Sequence, residues 1–279
     1  GTINYEKLKF LRALGINRLS MGVQSFFEED LRFLGRIHRT DDVLNNYEAA
    51  RKAQFSNINL DLMTAFPGLS PQRFENTLLK ATQLHPEHIS CYTLIFEPKT
   101  PFYVKMKKGL LKPLDQETEA IFYQIANNIL SENGYTPYEI SNFALTEDLR
   151  CKHNLKYWNH QPYLGLGPSA HSFIQPKRWW NIQQLHDYIR SLRIGKLPVA
   201  GSEELDQSTL EFEYIFLHLR LKDGINLEEF NRKFHVNFFE KYKNTLDKLI
   251  KGGFIEQFND RVVLSSRGWL LADEVAQDF

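Results

Sequence analysis

The stretch Asn17-Arg18-Leu19-Ser20-Met21-Gly22-Val23-Gln24-Ser25 sets the frame for the whole chain. It alternates apolar with small or polar residues. In a strand successive side chains point to opposite faces, so Leu19, Met21 and Val23 share one face. A helical pattern from Tyr5 to Leu14 precedes it, closed by Gly15 as a left-handed C-cap. A second helical pattern starts at about Glu28. Helix–strand–helix is the rhythm of an α/β fold with parallel strands. In such folds ligands gather at the carboxyl ends of the strands, which is where Gln24 and Ser25 fall.

The same unit recurs along the chain. Arg36 and His38 lie between the first strand and a helix from Asp41 to Ala53, for which Asp41 or Thr40 is the expected N-cap. A lone arginine is ordinarily a solvated surface charge, but a planar guanidinium also suits bidentate capture of a carboxylate. Asn57 to Gly68 holds the second strand, and Asp61 interrupts its apolar run, which is costly for a carboxylate unless it is paired or binds a ligand. Ser70-Pro71 opens the next helix with an N-cap and a first-turn proline. A third strand is expected over His88 to Glu97, a linker over Lys99 to Pro113, a helix over Gln116 to Glu132, and a fourth strand over Tyr135 to Phe143. A parallel strand at a sheet edge stands unpaired. Because the chain starts at Gly1, just before the first helix, we expect the amino-terminal strands of a larger domain to be missing from this sequence.

Composition narrows the partners. Lys+Arg and Asp+Glu both number 34, giving a formal net charge of +0, which argues against a broad nucleic-acid surface. No apolar run is long enough to span a bilayer, and no signal peptide is visible. Cys91 and Cys151 form no metal-ligand pair, and a cytoplasmic, reducing location fits them.

The carboxyl-terminal part reads differently. Leu205 to Leu221, Asn226 to Phe234 and Phe238 to Lys251 are helical, and two strands flank Asn259-Asp260 as a hairpin. Three helices with a two-stranded wing make a winged-helix pattern. Lys241, Lys243, Lys248 and Lys251 put positive charge on one helix, but Glu240 and Asp247 interleave with them. A DNA-binding regulator is therefore the weaker alternative, and nucleic acid is not an expected partner. The expected domains are 1–182 and 183–279.

Taken together, NRLSMGVQSF, LGRIHR, INLDLMTAFPG, HISCYTLIFE and GYTPYEISNFA resemble the successive strand-end motifs of the oxygen-independent coproporphyrinogen III oxidase superfamily of radical-SAM proteins. His153-Asn154-Leu155-Lys156-Tyr157-Trp158, an HNxxYW motif, resembles the heme-chaperone branch of that superfamily, as do Tyr163 to Ser172 and Arg178-Trp179-Trp180-Asn181. The resemblance covers nearly the whole chain. It implies a partial (β/α) TIM-like radical-SAM barrel with its first strands missing, followed by a helical, winged-helix-like domain.

The resemblance also implies roles. Gln24, Arg36 and Asp61 match positions that contact S-adenosylmethionine: a guanidinium suits its carboxylate, and an amide or carboxylate suits its hydroxyls and amine. His153, Tyr157 and Trp158 are expected heme contacts, through an imidazole that ligates iron and flat apolar rings. His171 is a second imidazole candidate, and Arg178 an expected partner of a heme propionate. The family's three-cysteine motif for a [4Fe–4S] cluster is absent, and Cys91 and Cys151 do not match its positions, so the cluster and S-adenosylmethionine are expected of a full-length protein. The implied function is delivery of heme to client hemoproteins in the cytoplasm or at the inner membrane face. The alternative enzyme reading is oxidative decarboxylation of coproporphyrinogen III.

Overall fold

The computed structural model describes residues 3–279. The chain forms two compact units that divide between Arg150 and Cys151. The first runs α1 (Tyr5–Ala13), β1 (Leu19–Gln24), α2 (Glu28–Phe33), α3 (Thr40–Lys52), β2 (Ile58–Thr64), α4 (Pro71–Gln83), β3 (His88–Thr93), α5 (Pro101–Lys107), α6 (Gln116–Glu132), β4 (Thr136–Pro137) and β5 (Asn142–Ala144). Its five-stranded sheet has the order β1-β2-β3-β5-β4. β1, β2 and β3 are parallel, whereas β5 is antiparallel to β3. Among the described residues β1 is an edge strand.

The sheet is two-faced because its strands alternate. Leu60, Leu62, Ile89 and Cys91 are buried in one apolar cluster with Phe74 and Leu78 of α4 and Phe122 of α6. Ser20, Asn59, Asp61, His88 and Ser90 alternate with them and line the other face. Helix starts follow local chemistry. The Ser70 hydroxyl accepts a hydrogen bond from the Arg73 amide with Pro71 in the first turn, and Thr100 and Asp115 cap α5 and α6 in the same way.

Several expectations need correction. The cap of α3 is Arg39, with Thr40 already helical. The Asp42 carboxylate accepts from the Arg39 amide at 2.8 Å, while Glu28 accepts from both the amide and the hydroxyl of Thr40. The third strand ends at Thr93, and the expected linker contains α5, announced by Thr100-Pro101. The expected fourth strand is a tight pair, β4 and β5, in which the Tyr138 amide donates to Asn142 O and the chain reverses.

The second unit begins with α7 (Lys152–Trp158), β6 (His171–Ile174), β7 (Lys177–Asn181), α8 (Leu185–Arg193) and β8 (Val199–Glu204). β6, β7 and β8 form an antiparallel sheet. Then come α9 (Gln207–His218), β9 (Ile225–Asn226), α10 (Leu227–Phe234), α11 (Phe238–Lys251), β10 (Ile255–Phe258), β11 (Arg261–Leu264), α12 (Ser266–Trp269) and α13 (Ala272–Gln277). Residues 151–182, grouped by sequence with the first domain, group by contact with the second unit, because β7 pairs with β8. The wing has three strands, since β9 adds to the hairpin through Ile225 and Val262. Tyr214, Phe230 and Phe238 are fully buried at the centre of the helices. Two of the four lysines noted on α11 are engaged within the fold: Lys241 pairs with the buried Glu211, and Lys248 with Asp278 at 2.8 Å. Among the described residues no helix is long and apolar enough to cross a membrane.

Candidate functional site

In the first unit, the polar face of the sheet is one hydrogen-bonded ladder. Parallel register sets Asn59 beside His88 and Asp61 beside Ser90. The Asp61 carboxylate accepts from Ser20 Oγ at 2.8 Å and from Asn59 Nδ2 at 2.7 Å. Asn59 Oδ1 is 2.6 Å from His88 Nδ1, and His88 Nε2 is 2.8 Å from the Tyr138 hydroxyl. Ser90 Oγ donates to Asn142 Oδ1 at 2.6 Å. Burial, helped by the charge of Arg18, pushes His88 down to about 3, so the imidazole is neutral in the fold. Of these groups only Asp61 was singled out from sequence as a site residue. The signal for the others was the shared alternation of β2 and β3.

Gln24 ends β1 in a left-handed conformation, φ 69°, and is buried. Its amide fills the space beside Gly22, where an added Cβ would lie 2.9 Å from Gln24 Nε2. A non-glycine residue held at positive φ is strained, and such residues gather at ligand sites. Arg36 follows the positive-φ Gly35 that ends α2. It is exposed, and its guanidinium has no hydrogen bond or ion pair among the described residues. Gln24 and Asp61 thus lie on adjacent paired strands, and Arg36 stands on the turn beyond α2.

The donor set tests the implied cofactors. A carboxylate fixed by two donors, next to a buried amide, fits the hydroxyls and amine of S-adenosylmethionine. An iron–sulfur cluster does not fit the residues described: Cys91 faces the apolar core, where burial pushes its thiol far up, and Cys151 is buried in the other unit. Among the described residues no three His, Cys, Asp or Glu side chains are grouped to hold a metal ion.

In the second unit, α7 carries the HNxxYW motif. His153 is exposed on its first turn, edge-on to the Tyr157 ring at 5.0 Å, and Tyr157 meets Tyr163 at 4.7 Å. Trp158 is half-buried. His171 is exposed at the start of β6 and stacks on Trp180 at 5.9 Å, its cross-strand partner. Beside α7 lies a half-open cleft of about 380 Å³, with Tyr157, Tyr163, Phe173, Phe212 and Phe216 among its walls. Arg178 lines it too, but is engaged: Nε donates to Glu203 at 2.7 Å and a terminal nitrogen to Glu213 at 2.8 Å. Partial burial opposes the arginine's charge, and the two glutamates outweigh it. Two carboxylates on one guanidinium leave that corner short of positive charge, so the expected propionate clamp at Arg178 has to compete with ligands already in place. Sequence inspection also passed over His160, which follows α7 in a left-handed conformation and stacks on Phe173 at 4.6 Å.

Against known proteins, a family model for the radical SAM superfamily matches residues 1–81 and one for the HemN C-terminal domain matches residues 205–271. Heme chaperone HemW of Bacillus subtilis is 37% identical over 98% of this chain and 72% of its own length. Heme chaperone HemW of Lactococcus lactis is 32% identical over 100% of this chain and 73% of its own length. Among solved structures, coproporphyrinogen III oxidase (HemN) from Escherichia coli superimposes with a TM-score of 0.81 at 21% identity, over 99% of this chain and 67% of that one. That likeness carries the fold: a mixed sheet with parallel strands, then a mainly helical carboxyl-terminal part, as the sequence predicts. The sequence relatives carry more, and by them this chain belongs to the HemW family of the radical SAM superfamily.

Proposed function

We propose that the chain is the heme-handling part of a radical-SAM heme chaperone, which binds heme at the α7 face and passes it to client hemoproteins. The observation that carries this reading is the HNxxYW helix itself. It presents an exposed imidazole, His153, against Tyr157, and Tyr157 is a wall of an aromatic cleft. An exposed histidine can give its ring nitrogen to iron, and flat rings accept a porphyrin face. The same reading gives Gln24, Asp61 and Arg36 to S-adenosylmethionine, and gives the [4Fe–4S] cluster to residues outside those described here. Neither Cys91 nor Cys151 forms a disulfide, which goes with work in the reducing cytoplasm.

Titration of heme into the purified chain, followed at the Soret band, tests the proposal. The expected result is a saturable shift that His153→Ala weakens about tenfold or more, in keeping with about 1.4 kcal/mol per decade. An unchanged titration in the variant sinks the assignment of His153. Incubating a full-length, cluster-loaded version of the protein with coproporphyrinogen III and S-adenosylmethionine under reducing conditions is expected to yield no protoporphyrinogen. Product formation would favour the decarboxylase reading.

A further inference from the structure

The aromatic cleft and the helix beside it carry opposite charge. The cationic side chain in the cleft wall, Arg178, is held by Glu203 at 2.7 Å and by Glu213 at 2.8 Å. Glu213 stays ionised: the His160 ring, then Arg178, hold it below the usual carboxylate range against its partial burial. One guanidinium and two carboxylates leave this end of the site with a net negative charge. His160, also in the wall, offers no ligand to a metal, since both ring nitrogens are buried and Nε2 lies against Glu213 Oε2 at 3.4 Å. A carboxylate brought here would meet like charge and lose its water. What the cleft suits is hydrocarbon laid against aromatic rings. The outer face of α7 is the reverse. Lys152 and Lys156 are exposed on it, one turn apart, without an ion pair among the described residues. Each directly precedes a member of the His153–Tyr157 pair, so the two ammonium groups flank that stripe.

We propose that heme seats with its methyl- and vinyl-bearing edge in the cleft and its propionates outward along Lys152 and Lys156, and that the Arg178–Glu203–Glu213 cluster rejects tetrapyrroles carrying carboxylates on every side. This rests on the reading of the chain as a heme binder. Heme bears its propionates along one edge only, so it can present an uncharged edge to the cleft. A coproporphyrin bears a propionate on every pyrrole, so whichever edge enters brings a carboxylate to the acidic end. Tyr157 touches the His153 ring and is also a wall of the cleft, so an edge in the cleft leaves the iron on the His153 side, outside the lining. Arg178 then acts in selection and not as the propionate clamp, because its own carboxylates already occupy it.

The test measures the affinity of the whole chain for ferric heme and for the ferric complex of coproporphyrin III, each by Soret titration. The wild type is expected to favour heme by about tenfold or more. Glu203→Gln, at an exposed position, relieves Arg178 of one carboxylate. It is expected to raise affinity for the coproporphyrin complex and narrow the preference by about fivefold, a gain that a damaged fold would not produce. Lys152→Gln combined with Lys156→Gln is expected to weaken heme by about fivefold, and heme dimethyl ester, whose propionates carry no charge, hardly at all. Equal affinity of the wild type for the two complexes, or a preference that Glu203→Gln leaves as it was, overturns the proposal while leaving the heme reading intact. An equal loss for heme and its ester in the lysine variant does the same. Failure of the wild-type chain to bind heme overturns both.

Discussion

At the scale of single residues, the first unit is governed by a buried histidine that the fold keeps uncharged. His88 falls from its ordinary 6.5 to about 3, with burial the main cause and Arg18 second. In the unfolded chain it titrates normally, so below pH 6.5 the unfolded state binds a proton that the native state does not. Stability is therefore expected to fall as the pH drops from about 6.5 toward 3, with a slope of up to about 1.4 kcal/mol per pH unit from this group. Urea unfolding of the wild type and of His88→Gln across that range measures it. The variant should show a shallower acid limb, and identical limbs would mean that the burial of His88 carries no such linkage. The same neutrality fixes the direction of its bonds: with a single N–H on the ring, Nδ1 donates to the Asn59 amide oxygen, which can only accept, and Nε2 accepts from the Tyr138 hydroxyl.

At the scale of elements, positions rather than side chains decide the geometry around the second site. Gly165 lies where an added Cβ would come within 2.1 Å of His171 O, so the loop before β6 can pack against that strand only without a side chain. Gly165→Ala is expected to destabilise the chain by about 1–3 kcal/mol, read as a lowered thermal midpoint, because the clash is with backbone that has no rotamer to give. An unchanged midpoint would show that the loop relaxes freely. Elements of this kind explain what the sequence revealed and what it hid. α1, α4, α6 and α11 were legible because caps and periodicity agree locally: Gly15, Ser70-Pro71, Asn133-Gly134 and Gly252 mark their ends. The reversal at Tyr138 was not legible, since Tyr135 to Phe143 alternates like one strand and only long-range pairing with β3 breaks it in two. α5 was hidden by its lysines, although Thr100-Pro101 is a helix start. Asp61 and the α7 motif stood out, whereas His160 did not, because its meaning depends on Glu213, far away in sequence on α9.

At the scale of the whole molecule, the two units differ in how they are built. The first surrounds a sheet whose polar face is knit by hydrogen bonds, and the second buries a cluster of aromatic rings around Tyr214, Phe230 and Phe238. Each unit contains one cysteine, and both are buried and outside any disulfide. Thiolates, not thiols, react with alkylating agents, and burial with a raised pKa suppresses the thiolate of Cys91 in the folded state. A brief pulse of iodoacetamide at rising urea, followed by mass analysis of the two cysteine peptides, thus clocks the opening of each unit separately. Labelling of the two peptides at different urea concentrations is the expected outcome if the units open independently, and coincident labelling would report a single cooperative transition. The two sulfurs that cannot serve as cluster ligands become a pair of internal timers, one per unit, installed without any mutation.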